Sequence, residues 1–395
     1  MSRWQELEHQ YFMHTIDRVP LTLVRGRGAR VWDEDGHEYL DFVCGWAVNS
    51  LGHCPPAVVD AVVEQVQTLI QASNQFYTIP QIRLAEILLQ HSCLDKVFLA
   101  NSGAEANEGA AKLARRYGEH RLDGAYEIIT ATGSFHGRTL AMVAATGQRK
   151  FQEPYVPLPS GFINAEYNNI EAIKAATTDK TCAVMLEPIQ GEGGVNIPDD
   201  DYLKAVRAWC DEKGILLILD EIQTGIGRTG TLFAYEQYGV EPDVMTLAKG
   251  LASGIPIGAI LAKDSASVFA PGEHGSTFGG NPVACAAAYA TLEFIIDNDV
   301  AGNAKRMGQY LIAGLKRLKD KFKFITDVRG RGLLVALEFD SDIAQSVLMA
   351  CLDRGLLVNR LKPNALRFIP PLIIGEAEVD EALSILDKAL SSLGG

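Results

Sequence analysis

Between about Lys96 and Ala262, short apolar β-rich runs alternate with stretches of helical periodicity, which restricts the chain to an α/β architecture on a mainly parallel sheet. The runs are Val97–Ala100, Tyr126–Ala131, Cys182–Glu187, Ile215–Leu219, Val244–Ala248 and Ala259–Ala262. Several are apolar nearly throughout, as strands covered on both faces are. Upstream, Ala29–Asp33 and Glu38–Phe42 read as strands broken at Asp35-Gly36. From Pro55 a helix is expected, with Val58, Val59, Val62, Val63, Val66, Leu69 and Ile70 along one side. Beyond a helix over Val283–Ile296 the pattern changes. Helices near Ala304–Leu318, Ile343–Arg354 and Glu376–Leu390 flank strands at Leu333–Phe339, Leu356–Asn359 and Leu366–Ile369, a smaller α+β unit expected to pack with the N-terminal segment. A chain of 395 residues exceeds one ordinary core, so three segments are expected: 1–50, 51–300 as the large domain, and 301–395 as the small one.

Charge and cysteine usage narrow the partners. A formal net charge of −13 argues against nucleic acid, whose phosphates need a basic surface. The 7 cysteines are dispersed, with no C-x-x-C pair and no His cluster at metal spacing, so no metal is expected and the thiols read as reduced. The start MSRWQELEHQYF is charged where a signal peptide is apolar, and no run is long enough to span a membrane. A cytoplasmic protein without membrane partners is the expectation.

Three places carry chemistry. Lys249 follows an apolar run and precedes glycines; a lysine desolvated there has a lowered pKa and can attack an aldehyde as the neutral amine. Alone, it reads more readily as a surface lysine after a strand. Asp220 ends another run, at the edge where a parallel sheet presents its ligands, though an aspartate there also serves as a helix cap. In Asn101-Ser-Gly-Ala-Glu-Ala-Asn-Glu108, Ser102 and Gly103 open a helix whose free N–H groups and dipole favour a phosphate. Ser102 with Glu105 also reads as a capping box. Gly225-Ile-Gly-Arg-Thr-Gly230 matches a dinucleotide fingerprint, but Asp220–Thr224 separates it from its strand and no acidic residue ends a second strand downstream. These glycines are expected to form a flexible active-site loop.

Six blocks in order, NSGAEANE (101–108), GSFHGRT (133–139), EPIQGEGGV (187–195), LDEIQTGIGRTG (219–230), LAKGLASGIPIGA (247–259) and HGSTFGGNP (274–282), resemble the class III (ω-amino acid) aminotransferases of the fold-type I pyridoxal phosphate enzymes. The resemblance spans nearly the whole chain. It implies the pyridoxal 5'-phosphate (PLP)-dependent transferase fold, transfer of a terminal amine from a small-molecule donor to 2-oxoglutarate, and a homodimer with shared active sites. It implies that Lys249 forms the Schiff base and shuttles the proton, that Asp220 pairs with the pyridine nitrogen and that Gln223 reaches the ring hydroxyl. Phe135 and Ile222 would cover the two ring faces. Gly103 and Ala104 would hold the phosphate, joined by Thr277 from the neighbouring subunit.

Toward substrate, Arg138 would bind the remote carboxylate, Ser276 would assist the donor's polar end, and Arg367 with Glu192 would form a switch. The switch answers a physical problem. The first substrate has no carboxylate beside its reacting carbon, the second does, and a permanently free arginine would favour α-amino donors. His136 is assigned to packing. Asn49 and Tyr77 are possible contacts in channel segments 45–53 and 73–78.

Overall fold

The computed structural model describes residues 2–393. Its centre is a seven-stranded sheet of β4 (Lys96–Ala100), β5 (Glu127–Ala131), β6 (Phe162–Ala165), β7 (Thr181–Leu186), β8 (Leu216–Asp220), β9 (Val244–Leu247) and β10 (Gly258–Ala262), following β1 (Leu23–Arg27), β2 (Arg30–Asp33) and β3 (Glu38–Asp41). The order across the sheet is β4-β10-β9-β8-β7-β5-β6. All neighbours are parallel except β10, which runs antiparallel to both β4 and β9. Every residue of β7, β8, β9 and β10 is buried, which accounts for their unbroken apolar runs.

The C-terminal strands β11 (Ile325–Arg331), β12 (Leu334–Phe339), β14 (Asn359–Lys362) and β15 (Ala365–Phe368) form an antiparallel sheet in the order β11-β12-β15-β14. The short β13 (Leu356–Leu357) leaves that sheet and pairs in parallel with β3, Leu356 opposite Leu40. The expected single strand Leu356–Asn359 is therefore two strands serving two sheets. The strands β1, β6 and β11 were not anticipated from the sequence.

Two other expectations need correction. The helix after Pro55 spans Pro56–Thr68, and Leu69 beyond it is extended, so Leu69 and Ile70 do not continue its face. Of its apolar row only Val58 is buried, while Val59, Val63 and Val66 remain exposed. The glycine loop at Gly225–Gly230 is buried except at Gly230. Arg228 in it is 1% exposed and donates from Nη1 to the carbonyls of Leu333 and Pro370, so the segment is wedged beneath the C-terminal sheet rather than hanging free. Among the described residues no helix is long and apolar enough to cross a membrane.

Candidate active site

A cavity of ≈ 420 Å³ opens at the C-terminal ends of β8 and β9 and reaches the start of the helix Gly103–Arg121. That volume suits a small ligand. Its walls include Ser102, Gly103, Ala104, Phe135, Arg138, Glu192, Asp220, Ile222, Gln223 and Lys249. Residues from five separate sequence blocks therefore meet in one place.

The helix start is built for an anion. Ser102 caps it, its side chain accepting from Glu105 N, and Glu105 Oε2 accepts from Asn101 N. The N–H groups of Gly103 and Ala104 are left without an acceptor among the described residues. At Gly103 a Cβ would lie 2.8 Å from Ile222 Cδ1, so a side chain there would require Ile222 to move.

Asp220 is 3% exposed and heavily engaged. Its Oδ1 accepts from Ile222 N at 3.0 Å, and its Oδ2 accepts from Asn107 Nδ2 at 2.7 Å and pairs with His136 Nδ1 at 2.8 Å. Asn107 is held in turn by the Thr246 hydroxyl, which donates to its Oδ1. His136 is thus more than packing. Burial would lower the imidazole pKa, but the hydrogen bond and charge of Asp220 overcome that and raise it. His136 Nε2 is buried with no partner among the described residues. The proton it holds at Nδ1 orients the Asp220 carboxylate and reinforces its charge.

Lys249 stands at the cavity floor with a backbone φ of 44°. Its amine makes no hydrogen bond among the described residues, and burial pushes its pKa below the ordinary lysine value, with Glu192 opposing and Arg367 adding to the depression. Behind Glu192 and Gln223, Arg367 is fully buried and does not itself line the cavity; it donates from Nη2 to Glu192 Oε1 at 2.7 Å, from Nη1 to Gln223 Oε1 at 2.9 Å and from Nε to Asn359 Oδ1 at 3.0 Å. Burial alone would push the Glu192 carboxyl up, but Arg367 and then Lys249 outweigh it and hold it down at about 2. The stabilisation from this pair is present above the ordinary carboxylate range and is lost only as pH falls toward about 2. Gln223 also donates to Glu192 at 3.3 Å, so the three side chains form one hydrogen-bonded network.

Glu187, which sequence reasoning did not single out, lines the same cavity. One oxygen accepts from Phe135 N at 3.0 Å and the other from Gly191 N at 3.1 Å, tying the ring wall to the loop that carries Glu192. Burial, with Asp220 nearby, pushes its pKa up.

Val48 enters the cavity from an unusual turn. Cys44, Gly45, Trp46 and Ala47 all have left-handed φ, 54°, 62°, 64° and 66°. Three of the four carry side chains that disfavour this conformation. The turn is held by Asp41 Oδ1, which accepts from Val43 N and Cys44 N.

Not every expected residue reaches the cavity. Ser276 and Thr277 lie in an adjoining cavity, where Ser276 Oγ accepts from Asn101 Nδ2 and the Thr277 carbonyl accepts from Gln71. Tyr77 is 97% exposed on a separate surface groove with Ile79 and Tyr289, away from the Lys249 amine. Asn49 sits behind Val48, beside Gly254, and is not part of the cavity wall.

The arrangement matches known proteins throughout its length. The family model for aminotransferase class-III matches residues 11–390. An acetylornithine aminotransferase of Caldanaerobacter subterraneus subsp. tengcongensis is 52% identical over 387 residues, covering 98% of each chain. The crystal structure of ornithine aminotransferase from Toxoplasma gondii ME49 superposes with a TM-score of 0.95 at 36% identity, covering 99% of this chain and 95% of that one. That of acetylornithine aminotransferase from Elizabethkingia anophelis gives 0.88 at 35% identity, covering 98% of each.

Proposed function

Given that the chain belongs to the class III aminotransferase family, we propose that it transfers the terminal amine of N-acetylornithine to 2-oxoglutarate, giving N-acetylglutamate 5-semialdehyde and glutamate, a step of arginine synthesis. The observation that carries this reading is the unpartnered Lys249 amine set between Asp220 and the Glu192–Arg367 pair. The wording of AVNSLGH, SNQFYT, FHGRT and AKGLASGIPIGA supports it too, since it resembles acetylornithine enzymes more than those acting on 4-aminobutyrate or glutamate-1-semialdehyde.

Class III enzymes are PLP-dependent, and the residues here fit that cofactor. The acceptor-free N–H groups of Gly103 and Ala104 suit its phosphate, Asp220 its pyridine nitrogen, and the flanking Phe135 and Ile222 its ring. When bound, PLP supplies the electron-accepting ring that lets a C–H bond beside the amine be broken. Lys249 would hold its aldehyde carbon covalently and, once displaced by donor, act as the base that moves the proton. Asp220, oriented by His136 and Asn107, would pair with the ring nitrogen and favour its charged form. Gln223 is a candidate for the ring hydroxyl. Arg138 reads the remote carboxylate through its fork of donors, and Ser276 assists at the donor's polar end.

Glu192 closes off Arg367 while the ω-amine reacts, then yields it to the α-carboxylate of 2-oxoglutarate. Glu192→Ala is expected to free Arg367 and raise kcat/KM for the glutamate half-reaction roughly 10- to 100-fold, the worth of one charged hydrogen bond. Stopped-flow measurement with glutamate alone checks this; a rate no faster than wild type counts against the switch.

We also propose a homodimer in which Thr277 completes the phosphate site of the second copy. The position of Thr277 outside its own cavity and the exposed apolar side chains Val59, Val63, Val66, Ile70, Phe76 and Phe278 support it. Seven unpaired cysteines suit a reducing compartment such as the cytoplasm.

The test is the visible spectrum of purified protein before and after N-acetylornithine, with no keto acid. Loss of the lysine-bound cofactor band on adding donor is expected. An unmoved band sinks N-acetylornithine and turns attention to succinylornithine, succinyldiaminopimelate, ornithine or 4-aminobutyrate. A nicotinamide oxidoreductase is disfavoured, because the buried Gly225–Gly230 segment does not line the cavity.

A further inference from the structure

Arg138 is exposed at the mouth of the cavity and makes no ion pair or hydrogen bond among the described residues. A long, flexible cation in that situation samples many rotamers, and ordering it on each binding event costs up to about 2 kcal/mol of side-chain entropy. Yet its guanidinium does not float. Its Cζ lies 4.0 Å from the centroid of the Phe151 ring and 5.5 Å from that of Phe135.

The Phe151 ring is itself fixed. It meets Phe135 edge to face, centroids 5.8 Å apart at 77°. It sits on the short helix Arg149–Gln152, whose Gln152 side chain donates to the carbonyls of Ala144 and Thr146 and to Asn164 Oδ1, pinning the turn to the edge of the central sheet. Lys150 places a second cation 4.7 Å from the same ring. An aromatic face attracts a guanidinium without using its N–H donors, whereas a carboxylate partner would occupy two of them.

We propose that Phe151 is a positioning residue for substrate, holding Arg138 over the cavity mouth with its donors free so that the remote carboxylate meets a pre-ordered fork. This rests on the reading of Arg138 as the carboxylate-binding group. Phe151 does not itself line the cavity, and it reaches the cofactor wall only through its edge contact with Phe135. Its effect therefore falls on binding of carboxylate-bearing substrates, and its Phe135 contact is retained by any side chain of similar bulk.

Three variants test it in the holoenzyme: Phe151→Leu, Phe151→Tyr and Arg138→Ala. Each is assayed in the amine half-reaction with N-acetylornithine and with 1,4-diaminobutane, a donor that has no carboxylate, and cofactor retention is read from the visible spectrum. Phe151→Leu is expected to raise KM for N-acetylornithine roughly 3- to 30-fold with little change in kcat, the range of a cation–π contact between exposed and desolvated limits. With 1,4-diaminobutane it should change kcat/KM less than roughly twofold, within the scatter of a contact that is not made. Phe151→Tyr, which keeps the ring, should restore wild-type KM.

Equal losses for the two donors, or no difference between Leu and Tyr at 151, overturn the inference. If Arg138→Ala is selective for the carboxylate donor while Phe151→Leu is not, only the role of Phe151 falls. If Arg138→Ala is not selective either, the reading of Arg138 falls with it.

Discussion

Replacing Lys249 by alanine is expected to abolish turnover while leaving PLP bound. Positioned proton transfer alone accounts for roughly 10²–10⁴-fold, and the role proposed for Lys249 includes the nucleophile as well, so the loss should reach or exceed the top of that range. Binding should survive because the phosphate donors at Gly103 and Ala104, the Asp220 carboxylate and the walls at Phe135 and Ile222 do not depend on the lysine. Two measurements separate these claims. Steady-state assay reads the first. Borohydride treatment followed by acid denaturation reads the second: wild type retains reduced cofactor on the chain, and the variant releases it. Retention of wild-type turnover would reject Lys249 as the catalytic amine.

Substituting Asp220 by asparagine should cost roughly 10²–10³-fold in kcat, the worth of one preorganised charge at a reacting centre. The change is nearly isosteric, and the amide oxygen can still accept from Ile222 N or Asn107. What disappears is the negative charge that, in the role proposed for Asp220, would keep the ring nitrogen protonated. His136 loses its anionic partner as well, and with it the largest influence raising its pKa, so that pKa should fall in the variant. NMR of the ring nitrogens gives a readout independent of activity. A variant with unchanged kcat would mean that Asp220 only caps its strand.

The strands of the central sheet were readable because burial on both faces imposes apolar runs, and β7 to β10 display them throughout. The strands that escaped notice, β1, β6 and β11, share a different condition: each lies at the edge of its sheet. An edge strand has one side uncovered, and β1, with the sequence LVRGR, is mostly exposed. Its polar residues look like a loop.

The site divides similarly. Lys249, Asp220, Gly103 and Glu192 were visible because each sits in a motif whose wording is local. The ties of His136, Asn107 and Glu187 were not, since they depend on partners distant in sequence, such as the 84 positions between His136 and Asp220. The left-handed turn at Cys44–Ala47 was invisible for another reason. Only one of its four residues is glycine, so nothing in the composition announces that conformation. Exposure also misled the reading of the Pro56–Thr68 helix, whose valines imply burial that this chain alone does not provide.

The pairing of β3 with β13 has a bearing on how the protein is made. Leu40 leaves the ribosome early, but its strand partner Leu356 is synthesised more than three hundred residues later. At roughly 5–20 residues per second, that interval is about 15 to 60 s. Throughout it, β3 has an open edge and Leu40 and Phe42, both fully buried in the finished protein, lack their final cover. The nascent chain therefore holds a half-made ribbon for most of its synthesis. Closure of that edge waits on the last tenth of the chain, and truncated products stopped short of β13 are the species most exposed to chaperones and aggregation.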